Sequence, residues 1–335
     1  MSALAFDIGT YAIKALAGTT GSSKITIERS LEVANPVGIA VPTDDVTTNK
    51  LQEYIGALFN DQKLPRMDVR LSLPETVVST KIISIPSLSD AELASAIGWQ
   101  AEQHIPIPSD DLSLEYSVLF RPKRGESSQL MRVLMVGTRK EAVQKYVDMF
   151  ANIGVEPTIL ETQALSVLRS LEFTPQDATS LVVVMGASTM DMFVVHQGEL
   201  IFVFTHLNGG NLLTKTLERT AQLDAQQAEE YKRAYGIDES HFEGKIRTML
   251  LPSVKLLVSE MQKAIQFFAQ QYPGTPIQRV LLSGGASQLP DLVEYVAQTT
   301  GVEVLTAAPF SQAKGEIPTA NQPAYSVCVG LLMRE

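Results

Sequence analysis

The sequence predicts an α/β protein of two related lobes with an inserted α+β subdomain, and three observations carry that reading. A strand, glycine turn, strand, strand pattern opens the chain. The same pattern returns near residue 180, and the rhythm of elements changes between about residues 68 and 155. A chain of 335 residues is long enough to divide into two or three compact units.

In chain order, "ALAFDIGTYAIKALAG" reads as an apolar strand, a tight turn at Gly9 and a second strand from Tyr11 to Ala17. The stretch from Lys24 to Val33 alternates as a half-buried third strand does. "TTNKLQEYIGALFNDQ" follows as a helix, with Leu51, Tyr54, Ile55, Leu58 and Phe59 on one apolar face. From about Asp68 to Val155 the order is strand, strand, helix, strand, strand, helix, a set that can close as a small α+β unit. Its first helix starts at the capping sequence "SLSDAEL" and runs through Trp99 to His104, stopping before Ile105-Pro106-Ile107-Pro108. The only tryptophan, Trp99, is expected to be a packing anchor. After the helix "ETQALSVLRSL", the segment "SLVVVMGASTMDMFVVHQGELIFVFTH" repeats the opening pattern as a weak internal duplication. Helices are expected from Gly210 to Gln222, from Asp224 to Tyr235 and from about Phe242 to Gln271, with Pro252 breaking or starting the last. Strand "RVLLSGG", helix "LPDLVEYVAQTT", strand "VEVL" and a terminal helix from about Tyr325 complete the chain.

Composition narrows the function classes. Apolar residues make up 45% and charged residues 19%, the profile of a soluble globular chain rather than a disordered one. A formal net charge of -10 would repel a phosphate backbone, so nucleic acid is not an expected partner. The basic cluster of Arg121, Lys123 and Arg124 runs into Gly125-Glu126-Ser127-Ser128 and reads as a solvated loop. A single cysteine, Cys328, excludes an intramolecular disulfide and reads as a buried, inert thiol in a reducing compartment. The sequence has no apolar run of roughly 18 residues and no basic region ahead of an apolar N-terminal core, so direct membrane insertion and export are not expected.

The chemistry is expected at the two hairpins. Glycine at each turn would let backbone N–H groups approach phosphates, which a side chain would hold away. In the first hairpin Asp7 ends the strand, Thr10 offers a hydroxyl and Lys14 a cation. Asp7 would hold hydrated Mg²⁺, which keeps several waters and takes one or two carboxylates; taken alone, an aspartate there is more often only a turn residue. "GGNLLT" (Gly209 to Thr214) opens a helix, whose N-terminus favours anions. "AEEYKR" puts Glu229 and Lys232 three apart on a helix, either to bracket a ribose and base or as a surface ion pair. "LLSGGAS" places Gly284-Gly285 between a strand and a helix, where a nucleoside can approach closely, and the chain has neither a dinucleotide fingerprint nor a Walker A motif.

Taken in order, "FDIGTYAIKAL", "IGWQAEQHIPIPSDDLSLEYSVL", "GGNLLTKTL", "AEEYKR" and "LLSGGASQLPDL" resemble the motifs of the PilM family of type IV pilus assembly, over essentially the whole chain. The resemblance implies the two-lobed actin/hexokinase/DnaK-like fold, with ribonuclease-H-like duplicated halves and the inserted subdomain shared with the division protein FtsA. The expected division is residues 1–67, 156–179 and 323–335 for the first lobe, 68–155 for the insertion and 180–322 for the second lobe. By resemblance, ATP or ADP with Mg²⁺ contacts Asp7, Gly9, Thr10, Tyr11 and Lys14, then Gly186, Ala187, Ser188 and Thr189, then Gly210, Glu229, Lys232, Gly284, Gly285 and Ala286.

One departure matters. Aligning Gly186 with the glycine of the family's second phosphate motif puts Val184 where an aspartate is usual. Asp191, seven residues on, is expected to lie one strand away and not to substitute. The water-positioning residue would be Gln163 or Glu161, with Gln163 preferred because "QA" matches actin's helix start, and capping is the plain alternative for both. The resemblance thus implies an ATP-binding cytoplasmic scaffold, at most a slow ATPase, recruited to the inner membrane by the short tail of a PilN-like protein and by other pilus platform proteins. A small-molecule kinase of the same superfold, or an FtsA-like filament protein, are the alternatives.

Overall fold

The computed structural model describes residues 2–21, 25–122 and 130–334. Lys24, Lys123, Arg124 and Gly125-Glu126-Ser127-Ser128 fall outside them. The chain runs β1 (Ala3–Ile8), β2 (Ala12–Thr20), β3 (Ile25–Ala34), α1 (Asp45–Asp61), β4 (Val69–Leu73), β5 (Val78–Ile85), α2 (Asp90–His104), β6 (Leu112–Phe120), β7 (Met131–Arg139) and α3 (Lys140–Ala151). It continues through β8 (Pro157–Thr162), α4 (Gln163–Ser170), β9 (Ser180–Met185), β10 (Met190–His196), β11 (Glu199–His206), α5 (Gly210–Ala221), α6 (Ala225–Tyr235) and α7 (Lys245–Gln271). The last elements are β12 (Arg279–Ser283), α8 (Leu292–Thr300), β13 (Glu303–Thr306), β14 (Ala313–Gly315) and α9 (Ser326–Leu332).

The duplication is explicit in the sheets. One has the order β14-β3-β2-β1-β4-β8 and the other β11-β10-β9-β12-β13. In each, an antiparallel three-strand meander is followed by parallel strands added on the far side of its first member. The first strand of each half is therefore central, and its turn emerges at the same edge of its sheet.

A third sheet, β5-β7-β6, with α2 forms the insertion and has its own core of Ile83, Leu93, Ile97, Ala101, Val133 and Met135. The hydrogen bonding narrows the range expected for it. β4 is parallel to both β1 and β8, so it belongs to the first sheet. Tyr146, Met149 and Phe150 of α3 enter the core of Phe6 and Phe59, with the Phe6 and Phe150 rings edge-on at 5.6 Å. The third sheet and α2 thus span 78–139 rather than 68–155. β14, from the stretch expected in the second lobe, pairs with β3 of the first sheet.

The helices follow their local signals. Ser89 and Glu92 form the reciprocal cap of α2. α7 runs unbroken through Pro252, against the expected break or start there, and keeps Val254, Leu257, Met261 and Phe268 buried. Trp99 departs from expectation: it is 60% exposed. Leu93, Ile97 and Ala101 face the insertion's core. At 100° per residue, position 99 therefore lies on the opposite side of the helix.

α9 is buried at every residue and packs with α4 between the two large sheets, in a core shared by Ala5 and Leu16 of the first and Val182 and Phe193 of the second. Its Cys328 is buried, as expected.

Candidate functional site

Each central hairpin turns on the same backbone bond, Gly9 N–H to the Ala12 carbonyl at 3.0 Å and Gly186 N–H to the Thr189 carbonyl at 2.9 Å. The two turns meet across a cleft, where the Thr10 and Ser188 hydroxyls are 2.8 Å apart. Between them lies a cavity of about 430 Å³, within the range of small-molecule sites. Every residue expected to contact nucleotide borders it, from Asp7, Gly9, Thr10, Tyr11 and Lys14 through Gly186 to Thr189, Gly210, Glu229, Lys232, Gly284, Gly285 and Ala286. Gln163 and Val184 border it as well.

Asp7 is held on one side only. Its Oδ1 accepts from Ser72 Oγ at 2.7 Å and from Gln163 Nε2 at 2.8 Å, while Oδ2 looks towards Lys14 Nζ at 3.8 Å. One oxygen is thus oriented by neutral donors and the other is left for a cation or a bound water, which suits the outer sphere of Mg²⁺. No cluster of three acidic, histidine or cysteine side chains that could hold a metal unaided occurs among the described residues. A cation here would need phosphate oxygens and water to complete its shell. Glu161, the other candidate for water positioning, instead accepts from Arg169 and Arg334 and does not border the cavity.

Tight backbone contacts explain the glycines of the second lobe. A Cβ on Gly209 would lie 2.5 Å from the Gly186 carbonyl oxygen and 2.7 Å from that of Thr189. Gly284, at φ +85°, would carry a Cβ 2.5 Å from the Met185 oxygen. The start of α5 is correspondingly committed: Gly210 N–H and Asn211 N–H donate to the Gly186 and Ala187 carbonyls at 2.9 and 2.8 Å. These two donors, expected to face an anion, instead lock α5 to the hairpin.

Glu229 and Lys232 form no surface pair. Lys232 is buried, and Glu229 accepts from it, from Arg233 at 2.7 Å and from Thr214 at 2.7 Å. Burial opposes the Glu229 charge, yet the bond to and charge of Lys232, with Arg233 and Thr214, hold its carboxyl below the usual range. Burial pulls Lys232 down, against Glu229. Arg233 also lies 4.8 Å over the ring of Tyr11, joining the lobes.

Several site residues were not singled out from the sequence. Glu32 accepts from Asn321 Nδ2 at 2.7 and 2.8 Å, a second link across the cleft, and Ser72 steadies Asp7. No local motif marks either, because each reaches the site from a separate strand or loop. Asp191 lies one strand away from Val184, as expected, but that strand brings it to the cleft. It pairs in register with Val184, borders the same cavity and is buried. Burial pushes its carboxyl up to about 6, against the Thr205 and Thr189 hydroxyls.

Comparison with known proteins agrees with this geometry. The family described as type IV pilus assembly protein PilM matches residues 5–335. The cell division protein FtsA of Neisseria meningitidis serogroup B is 25% identical over 222 residues, 60% of this chain and 53% of that protein, so the match spans about half of the relative's length. A chain of the PilM-PilN type IV pilus biogenesis complex superposes with a TM-score of 0.85 at 23% identity, covering 99% of this chain and 98% of that one. MreB5 of Spiroplasma citri bound to ADP gives 0.57 at 11% identity, over 99% and 95%. These likenesses show a two-lobed, actin-like fold.

Proposed function

The chain belongs to the type IV pilus assembly protein PilM family, and from that premise we propose that it is an ATP-binding, actin-like scaffold that holds the cytoplasmic tail of a PilN-like membrane protein. The observation that carries the nucleotide half is the cavity between two glycine-turned hairpins, with Asp7 and Lys14 at its wall and Glu229 and Lys232 at the far side. A nucleotide fits with its phosphates between the Thr10 and Ser188 turns and its nucleoside against Gly284-Gly285 and α6. Mg²⁺ would neutralise phosphate charge from beside Asp7, whose orientation Ser72 and Gln163 maintain. Gln163 donates one N–H to Asp7, which leaves its Oε1 able to accept from a water beside the phosphates. Hydrolysis is slow or absent on this reading, because phosphoryl transfer depends on a positioned nucleophilic water and the Val184 side chain cannot orient one.

Ligand bound only to the native state stabilises it, by about 2.7 kcal/mol at a hundred times Kd. ATP with Mg²⁺ is therefore expected to raise the melting temperature, and Lys14→Ala to remove most of that rise. Phosphate release by the same samples should fall far below the roughly 1 to 100 per second of ordinary kinases. An unchanged melting temperature at millimolar ATP would overturn the nucleotide reading.

For the partner, the family premise and the insertion point the same way. Among the described residues no helix is long and apolar enough to cross a membrane, so attachment through an anchored partner fits. We place the partner's short apolar tail between the insertion and the first lobe, where burial of its apolar side chains would offset the cost of ordering the peptide. Trp99 is the only tryptophan and is exposed on α2 of the insertion, so its emission reports binding that reaches the insertion. Titration with a PilN-type tail peptide is expected to shift Trp99 emission saturably, whereas emission from a tryptophan placed on the second lobe of a Trp99→Phe variant should shift less. Peptide binding that shifts only the second-lobe reporter would put the partner elsewhere.

A further inference from the structure

The two central hairpins carry their charged residues in register, and the second has its acid on the other strand. Asp7 faces Lys14 across β1 and β2, and Val184 faces Asp191 across β9 and β10. Direct cross-strand partners project from the same face of a sheet, with Cβ atoms roughly 4.5–5.5 Å apart. All four border the cleft. The duplicated topology makes positions 7 and 184 equivalent, and 14 and 191 equivalent. The second half therefore has valine where the first has its acid and carries its acid on the facing strand.

Asp191 is not a solvated surface acid. It is 5% exposed, and among the described residues its oxygens accept only from neutral hydroxyls, Thr205 at 2.7 Å and Thr189 at 3.2 Å. A carboxylate buried with neutral donors alone carries a desolvation cost that a proton or a cation relieves. Glu75, buried beside the cleft at Pro74 and Thr76, is another acid and offers Asp191 no compensating charge. Val184, by contrast, leaves an apolar surface beside Asp191 that cannot compete for a cation.

We propose that Asp191 is the second lobe's acidic contact to the metal and phosphate unit of a bound nucleotide, reaching from β10 the place that Val184 cannot serve from β9. The inference rests on the nucleotide reading above. It assigns the site two carboxylates on opposite lobes, Asp7 and Asp191, with Thr189 and Thr205 orienting the second. A divalent cation bound to nucleotide thereby bridges the lobes, so metal, and not nucleotide alone, favours the closed cleft.

The test measures ATP affinity with Mg²⁺ and with chelator for the wild type, Asp191→Asn and the double variant Val184→Asp with Asp191→Val. The wild type is expected to bind more tightly with Mg²⁺. Asp191→Asn, which keeps the shape and can still accept from the threonines, is expected to cut that metal enhancement roughly 10-fold. Its affinity in chelator should hold or rise, since a negative charge near the phosphates is gone. The double variant moves the acid back across the hairpin and is expected to restore the enhancement, an outcome that a merely structural role for Asp191 would not produce. Val184→Asp alone is unsuitable, because it sets two carboxylates face to face. A wild-type enhancement retained by Asp191→Asn, or a wild type indifferent to Mg²⁺, overturns the inference while leaving the nucleotide site standing. A wild type that binds no ATP in either condition overturns the nucleotide reading and this inference together.

Discussion

Gly330→Ala is expected to be among the most destabilising single substitutions in the chain. A Cβ at Gly330 would lie 1.7 Å from the Ser166 carbonyl oxygen and 2.4 Å from its carbonyl carbon. The obstacle is backbone, so no rotamer change relieves it; α9 and α4 must separate. They meet inside the core that joins the two large sheets, so separation opens contacts in both lobes. Overpacking of a well-packed core usually costs about 1–3 kcal/mol, and a backbone clash at a helix crossing belongs at or above the top of that range, about 3 kcal/mol or more. Gly98→Ala is the control. It lies inside α2 with open space where a Cβ would stand, so it should stabilise by about 0.5–1 kcal/mol through helix propensity. Chemical denaturation of the two variants checks both signs. Equal stabilities would mean that α9 does not pack on α4 as described.

Glu75→Gln is expected to have a comparable effect, of opposite sign and confined to neutral and alkaline pH. Burial pushes the Glu75 carboxyl up to about 8 from an ordinary 4.5, the Ala164 N–H opposing and the Asp191 charge adding to the rise. An acid whose folded pKa is raised favours the folded state while protonated. That contribution is fully present below about pH 4.5, declines as pH rises and is gone above about 8. The span corresponds to about 4 to 5 kcal/mol at most. The amide that replaces the carboxyl cannot ionise and can still accept the Ala164 N–H that Glu75 takes at 2.9 Å. The variant should match the wild type near pH 5 and exceed it by a few kcal/mol near pH 9. Denaturation midpoints across that range test it, and parallel pH profiles for the two proteins would remove Glu75 as the source. Because Glu75 and Asp191 each raise the cost of charging the other, Asp191→Asn should also lessen the alkaline loss.

Much of the site was legible because its signals are local. A glycine turn between alternating strands is visible within ten residues, and so are Asp7, Lys14, the Gly186 turn and the Gly284-Gly285 pair. The pairing of an apolar helix face with its caps is equally local, which is why α1, α2 and α6 match their expected spans closely. Trp99, read as a packing anchor, could have been placed correctly from its own helix: the four-residue spacing of Leu93, Ile97 and Ala101 turns position 99 outward.

The amino-acid order by itself determined the duplicated hairpins and the helices between them, because those depend on patterns of period two and 3.6 and on backbone freedom at single glycines. The full set of residues expected at the cleft came from the resemblance to the PilM family. Only the tertiary structure decided which sheet received β4, where α3 packed and that β14 crosses to the first sheet, since a buried strand's sequence does not name its neighbours. It also decided that α5 spends its first donors on the hairpin and that Glu229 and Lys232 hold each other inside the cleft. Above all it decided the place of Asp191. Seven residues from Val184 means a different strand, but an antiparallel register folds that separation back onto the same face, and distance along the chain becomes contact across the hairpin.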